Sequence, residues 1–192
     1  LQAAAGALFS ASDDGTVRRW DISGTSASGV CAAVGVGHTG PLGCLMVAAG
    51  ELFSASEDGT IKTWDFLRNP IRGEARALKT FSGHSGAVTC LLAADGVLYS
   101  GSRDCAIVIW DSKTGMMKST LVGHFECVTS LLFLSDYLFS ASRDMTVRKW
   151  DVKTLECIQT LGGHAAGVTC LLGVDGVLFS GSADTTVKGW NP

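Results

Sequence analysis

The chain is poor in charge, in proline and in long apolar runs. Charged residues make up 17% of its 192 residues and the net charge is −3, so no excess of basic groups would attract nucleic acid or an anionic membrane. The sequence has no apolar stretch long enough to span a bilayer and no signal-like start. We therefore expect a single globular domain with no direct nucleic-acid partner and no membrane partner.

Histidine and cysteine are too sparse, or wrongly spaced, for most metal and redox sites. The chain has four histidines, and its seven cysteines, an odd number, form no C-x-x-C pair. Cys44, Cys90 and Cys170 each stand six residues after a histidine, in apolar strand-like stretches, and we expect buried, reduced thiols there. Reduced thiols favour an intracellular compartment, cytoplasmic or nuclear. No metal site and no cofactor is predicted.

An internal repeat with a period of about 40 residues dominates the sequence and is clearest at residues 83–111. The repeat opens with Gly-His and closes with Trp-Asp, and four copies keep 26 residues between histidine and tryptophan. A fifth copy, without its opening, ends at Trp20-Asp21. Serines stand ten and eight residues before each tryptophan, an aspartate six before, and alanine or glycine nine before. Short apolar runs separated by these recurring polar and turn residues predict propeller blades of four strands each.

At these residues the chain resembles the WD40-repeat family, and the resemblance covers nearly all of it. It implies an all-β fold of four-stranded antiparallel sheets, forming an open arc of about four and a half blades from a larger propeller; seven blades is the family's commonest number. The expected blades are residues 1–36 (partial), 37–82, 83–122, 123–162 and 163–192, the last without its outer strand. Because the chain starts at Leu1 rather than Met, we expect the remainder of the polypeptide upstream of Leu1.

The resemblance also implies a hydrogen-bonded chain of four side chains in each blade. An aspartate would accept from an imidazole N–H, the imidazole would accept from a serine hydroxyl, and the serine would accept from an indole N–H. Of the two serine columns we favour the one ten residues before tryptophan. The expected structural network consists of His38, His84, His124, His164, Ser10, Ser54, Ser100, Ser140, Ser180, Asp14, Asp58, Asp104, Asp144, Asp184, Trp20, Trp64, Trp110, Trp150 and Trp190.

Catalysis by the same residues is the main alternative. Serine, histidine and aspartate together are typical of a nucleophilic triad, and the aspartates could imitate a carboxylate ring for a metal. All four histidines belong to the repeat, however, and a triad occurs once whereas these residues recur in blade after blade. Gly35, Gly37 and Gly40 spell G-x-G-x-x-G, but they continue into a strand rather than a helix, so no phosphate site is predicted. No catalytic residue is predicted.

These patterns predict a non-enzymatic scaffold that binds protein or peptide partners through the propeller faces, as WD40 domains usually do. Within this class, a substrate-recognition module of a ubiquitin ligase and a targeting domain of a kinase both remain open, because the deciding domains would lie upstream. A propeller enzyme or a small-ligand, lectin-like site is the other class. It would need an unrepeated cluster of acids, histidines or aromatics, and the sequence shows none.

One propeller face is expected to display side chains that differ between blades. The residues just before each repeat aspartate and just after each repeat histidine would share it, because up-and-down strands bring both connections to the same end. This face would be acidic over the first two blades and basic over the next two. Phe125 with Arg103 and Arg143 would suit an acidic or phosphorylated peptide with an apolar anchor. The long connection at residues 66–79, expected to be a loop, is the alternative site.

Overall fold

The computed structural model describes residues 1–22, 29–66 and 72–191, and every regular element among them is a β-strand. The first sheet begins with β1 (Gln2–Ala4), β2 (Ala7–Ala11), β3 (Val17–Asp21) and β4 (Cys31–Val36). The next segment supplies β5 (Leu42–Ala48), β6 (Glu51–Ser56), β7 (Thr60–Trp64), β8 (Gly73–Arg76) and β9 (Lys79–Ser82). The third sheet is β10 (Val88–Ala94), β11 (Val97–Ser102), β12 (Ala106–Asp111) and β13 (Met117–Val122). The fourth is β14 (Val128–Leu134), β15 (Tyr137–Ser142), β16 (Val147–Asp151) and β17 (Glu156–Leu161), and the fifth is β18 (Val168–Val174), β19 (Val177–Ser182) and β20 (Val187–Trp190).

Neighbouring strands pair antiparallel, except for one parallel pair, β4 with β8, in the first sheet, so the predicted all-β architecture of four-stranded antiparallel blades is confirmed. Tight hairpins join the first and second strands, and their turn residues adopt the positive φ that such turns require. Asp95 and Gly96 have φ of 49° and 77°, and Asp175 and Gly176 repeat this with 51° and 79°. Aspartate tolerates this conformation better than most side chains, which explains the repeated Asp-Gly pair.

The sheets pack face to face in chain order around four buried apolar clusters. Between the second and third sheets, for example, Phe53, Phe81 and Trp110 pack together, with the Phe81 and Trp110 rings edge to face at 5.8 Å. No buried cluster among the described residues joins the fifth sheet back to the first. Val187 of the fifth sheet is 73% exposed, whereas Ile107, its counterpart in the third sheet, is fully buried. The described sheets therefore form an open arc.

The long connection after Trp64 contains a strand that the sequence reasoning missed. Residues 67–71 of the expected loop lie outside the described part of the chain, but β8 follows them and pairs in parallel with β4. A segment of the second repeat thus becomes the fifth strand of the first sheet. Ala75 of β8 is buried in the cluster between these two sheets. The edge of β4 offers unpaired backbone groups, which a neighbouring segment can satisfy whatever its side chains are.

Buried thiols were expected at Cys44, Cys90 and Cys170, but Cys44 and Cys90 are half-buried and Cys170 is exposed. All seven cysteines are free, and burial raises the pKa of Cys44 and Cys90 to about 12. Cys170 is exposed instead, because no described sheet packs on that side of the fifth sheet. Since the described residues contain no helix, none of them forms a helix able to cross a membrane.

Candidate functional site

A chain of four polar side chains links the loop before the first strand of the second sheet to its later strands. His38 Nδ1–H donates to Asp58 Oδ2 at 2.9 Å, and Nε2 accepts the hydroxyl proton of Ser54 at 2.8 Å. The oxygen of Ser54 accepts the indole N–H of Trp64, also at 2.9 Å. The serine hydroxyl and the imidazole thus each use both a donor and an acceptor, which leaves both side chains fully paired.

The same network of four hydrogen-bonded side chains recurs in the third, fourth and fifth sheets. The histidine Nδ1 to aspartate Oδ2 distances are 2.8 Å for His84–Asp104, 2.7 Å for His124–Asp144 and 2.8 Å for His164–Asp184. Ser100, Ser140 and Ser180 bond the same histidines and accept from Trp110, Trp150 and Trp190.

The first sheet has no histidine and satisfies its aspartate differently. Trp20 still donates to Ser10 at 2.9 Å, but Asp14 pairs with Arg18 at 2.7 Å. The side chains of Asp14 and Arg18 are 45% and 40% exposed, so this ion pair lies at the surface. It contributes less than a buried network because water screens it and competes for both partners.

The second serine column, eight residues before each tryptophan, has a separate role that sequence alone did not reveal. Ser56 Oγ accepts the backbone N–H of Asp58 at 3.1 Å and donates to the carbonyl of Gly40 at 3.0 Å. Ser142 and Ser182 make the corresponding bonds in their sheets. This serine therefore fastens the aspartate turn to the loop that carries the histidine.

The protonation states of the network follow from its burial. Burial lowers the pKa of His38 and His124, although the neighbouring aspartates act in the opposite direction. Burial alone would raise the pKa of Asp58, but hydrogen bonds from Thr60, Thr39 and His38 hold that pKa well below its usual range. A neutral imidazole beside an ionised carboxylate is the result, and it matches the donor and acceptor pattern of the chain.

These buried serines are poorly placed for nucleophilic catalysis. Ser54, Ser100, Ser140 and Ser180 have no solvent exposure, and an indole N–H occupies each serine oxygen. A substrate carbonyl would have no route to them. Gly35 of the G-x-G-x-x-G pattern has a packing role, because a Cβ there would lie 2.8 Å from the ring of Trp64. The described residues also contain no group of three acidic, histidine or cysteine side chains arranged to hold a metal.

One end of the arc, which we call the histidine face, carries the Gly-His loops and the aspartate turns. The two connections meet there, since Phe125 N–H donates to Asp144 and Arg143 N–H donates to the carbonyl of Cys127. The residue before each repeat aspartate is exposed on this face: Asp13, Glu57, Arg103, Arg143 and Ala183. The opposite end, the hairpin face, carries the turns between the first and second strands of each sheet.

Phe125 is the most exposed aromatic side chain on the histidine face, with 81% of its surface accessible. The guanidinium against its ring is that of Arg148, whose Cζ lies 5.8 Å from the ring centre. Sequence reasoning assigned Arg103 and Arg143 to this aromatic and missed Arg148. A signal was present, because the position two residues before tryptophan is basic in four of the five repeats.

Arg103 and Arg143 lie in different surroundings. Arg103 forms an ion pair at 3.0 Å with Glu57 of the second sheet. The two opposite charges at the boundary between the expected acidic and basic blades therefore neutralise each other. Arg143 has no ion pair with a described residue and lines a cavity of about 420 Å³ between the fourth and fifth sheets. Thr129, Gly167 and Thr169 line the same cavity. Of the two arginines, Arg143 is the one whose charge is free to meet a ligand.

Comparison with protein families gives a match over most of the chain. The family described as "WD domain, G-beta repeat" matches residues 29–65, 75–111, 115–151 and 155–191. Each matched unit combines the outer strand of one sheet with the inner three strands of the next, as β4 with β5 to β7. No curated protein matches the chain in a sequence comparison.

Solved structures show the same fold. The computationally designed Ika8 protein superposes with a TM-score of 0.84 at 32% identity, over 99% of this chain and 57% of Ika8. The computationally designed Ika4 protein gives 0.74 at 31% identity, over 84% of this chain and 98% of Ika4. The WD40 β-propeller domain of Doa1 gives 0.79 at 26% identity, over 97% of this chain and 61% of the Doa1 chain. The chain thus spans little more than half of the Ika8 and Doa1 chains.

Proposed function

Because the chain belongs to the WD40-repeat family, whose propellers generally serve as protein-interaction scaffolds, we propose that its histidine face binds an acidic or phosphorylated segment of a partner protein. One observation carries this proposal. The two connections of the fourth sheet present an exposed Phe125 and, on the adjoining turn, an Arg143 without an ion-pair partner in the described chain.

Phe125 would supply the apolar anchor of the site. A side chain with 81% exposure loses ordered water when a partner covers it, and aromatic residues at the centre of interfaces contribute strongly to binding. Arg148 lies on one side of the ring, and its positive charge makes the neighbourhood of Phe125 attractive to anions.

Arg143 would supply the charge recognition. A guanidinium presents several N–H donors in a fixed fork, which matches the oxygens of a phosphate or a carboxylate. The adjoining cavity of about 420 Å³, lined also by Thr129 and Thr169, has room for such a group. Arg103 is already paired with Glu57, so it would contribute less.

The repeat network would hold these loops in place without touching the partner. Asp144 accepts the N–H of Phe125 and the Nδ1–H of His124, so one buried carboxylate positions the loop that carries the aromatic. Rigid loops lose little conformational entropy on binding, which favours affinity. The proposed role of the histidines, serines and aspartates is therefore structural.

The test uses an array of short peptides, each with a central leucine next to phosphoserine, glutamate or serine. We expect the chain to retain the phosphoserine and glutamate peptides over the serine peptides. Phe125→Ala and Arg143→Gln should each weaken retention by about tenfold, the loss expected for one charge-assisted contact or one anchor. Arg103→Gln should have a smaller effect, because Glu57 already neutralises that guanidinium.

Arg76→Gln is the matched control, because Arg76 is an exposed arginine at the outer edge of the first sheet, whereas Phe125 and Arg143 belong to the fourth. It should leave retention unchanged, and all variants should keep the melting temperature of the parent. Loss of retention in Arg76→Gln, with Phe125→Ala and Arg143→Gln unaffected, would place the binding site at the outer edge of the first sheet and refute the proposal.

A further inference from the structure

A second cavity, of about 300 Å³, opens on the hairpin face between the third and fourth sheets. Its walls combine aromatic rings with charged side chains from two hairpin turns. The residues that matter to its chemistry are Asp95, Tyr99, Phe133, Asp136 and Lys153. None of them belongs to the repeat network or to the histidine face, so this cavity is separate from the site proposed above.

Tyr99 forms part of the cavity wall with an unpaired polar group. Its side chain is only 5% exposed, and its ring lies 5.4 Å from that of Phe133. The hydroxyl makes no hydrogen bond with any described residue. It is therefore available, as both donor and acceptor, to a group that enters the cavity. Burial and the charge of Asp95 raise the pKa of Tyr99, so its hydroxyl stays protonated.

The rim of the cavity carries more negative than positive charge. Asp95 and Asp136 occupy neighbouring hairpin turns with φ of 49° and 67°, and both are exposed. Neither carboxylate has an ion pair or a side-chain hydrogen bond within the described residues. Lys153 is the one basic side chain among the described residues that line the cavity. A cation entering from solvent would meet two unpaired carboxylates above two aromatic rings.

The fourth sheet shows how a cation fits beside the equivalent aromatic. Lys149 places its ammonium group 4.1 Å from the centre of the Tyr137 ring and 5.8 Å from that of Phe139. Phe139 and Tyr99 both stand eleven residues before their tryptophan, and Lys149 and Ile109 both stand one before. In the third sheet the buried Ile109 stands at the position of Lys149, so no described residue of that sheet places a cation beside Tyr99.

We propose that this cavity binds an arginine side chain of a protein partner. The planar guanidinium stacks on aromatic rings and pairs with carboxylates through two parallel N–H bonds, so it satisfies the Tyr99 and Phe133 rings together with Asp95 or Asp136. The Tyr99 hydroxyl accepts a further N–H. The hairpin face thus selects a basic residue, whereas the histidine face selects an acidic one, and one partner segment need not serve both.

The experiment titrates the ¹⁵N-labelled chain with the peptide acetyl-Gly-Arg-Gly-amide and follows backbone amides by NMR. The control peptide contains citrulline, which has the shape of arginine without its charge. We expect arginine-dependent shifts at residues 95–99 and 133–136, and at least about tenfold weaker binding of the citrulline peptide. Asp95→Asn with Asp136→Asn should weaken arginine binding similarly, and Tyr99→Phe by about threefold, since only one hydrogen bond is lost.

Asp175→Asn is the matched control variant, because Asp175 occupies the same turn position in the fifth sheet, where none of the described sheets completes a cavity. It should bind the arginine peptide as the parent does. Spectra with native dispersion establish that each variant is folded. Equal binding of the citrulline peptide, unchanged affinity in the double asparagine variant, or shifts confined to other acidic residues would each overturn the assignment.

Discussion

Gly101 of the third sheet lies so close to Val128 of the fourth that a methyl group on Gly101 would come within 2.6 Å of Val128 Cγ1. The same methyl would meet Cys90 Sγ at 2.6 Å. Val128 cannot move far, because it is fully buried in the apolar cluster between the two sheets. The lack of a side chain at Gly101 therefore allows the third and fourth blades to approach this closely.

We expect Gly101→Ala to lower the free energy of unfolding by about 1–3 kcal/mol, the cost of overpacking a close-packed core. Urea unfolding followed by tryptophan fluorescence measures it. Gly162→Ala is the control, because a methyl there would meet no atom within 4 Å. Equal stability of the two variants would show that the sheets can separate to make room.

The second prediction concerns the buried carboxylate of the fourth sheet. Asp144→Ala removes the partner of His124 and of the Phe125 N–H, so it should destabilise the chain by about 1–3 kcal/mol. Asp14→Ala should cost clearly less, because Asp14 has no histidine and lies at the surface. Peptide binding by Asp144→Ala should fall at least in proportion to the folded fraction, because Asp144 also positions the Phe125 loop. A chemical activity that disappears while folding is unchanged would instead support a catalytic role.

Stability should decrease as the pH is lowered, in two steps. The pKa values of His38 and His124 are lower in the folded state than their ordinary value of 6.5, so protons bind preferentially to the unfolded chain. Their contribution is complete above pH 6.5 and is lost progressively below it. The pKa values of Asp58 and Asp144 are lowered too, so a second loss begins below their ordinary value of 3.8.

Melting temperatures recorded from pH 8 to pH 3 test this, and His124→Gln should flatten the step near pH 6. A melting temperature that stays constant or rises between pH 7 and pH 5 would contradict the assignment of neutral, buried imidazoles.

The fourth prediction uses the turn residue that follows each repeat aspartate. Glycine occupies this position in the first two repeats, with φ of 77° and 78° at Gly15 and Gly59, but Thr185 adopts 69° in the fifth. A β-branched side chain is strained in this region. Thr185→Gly should therefore raise the free energy of unfolding by about 1 kcal/mol, and Gly59→Ala should lower it. The two changes in opposite directions, measured by urea unfolding, distinguish backbone strain from a general effect of glycine.

The residues that recur in every repeat were enough to predict most of the fold, but they predicted few of the surface contacts. Residues that recur at fixed spacing, such as His84 and Trp110, act within one sheet, so a single sequence contains the information needed to pair them. The contact of Arg103 with Glu57 crosses between sheets and depends on how two blades are oriented. The position of Arg148 beneath Phe125 depends on the path of one loop. Such contacts leave no periodic signal, and they are the ones that decide what a face can bind.

The strand β8 escaped prediction for a related reason. Its sequence, Gly-Glu-Ala-Arg, shows neither the alternation nor the β-branched residues of a typical strand. It is ordered by backbone pairing with β4, about 40 residues earlier in the chain, where Ala33 faces Gly73 and Val36 faces Arg76. Pairing of this kind depends on a free edge, which no local pattern reports.

The parallel pairing of β4 with β8 also has a kinetic consequence. Consecutive antiparallel strands can form by local zipping, but β8 can dock only after the first sheet has presented its edge and the second has begun to fold. In a repeat array each sheet normally consists of one repeat's own strands and contacts only its neighbours. Here a strand from the second repeat completes the first sheet, so the first two blades form a single cooperative unit. Amide exchange should therefore release the first two sheets together, while the fifth, which packs on one described neighbour, opens by itself.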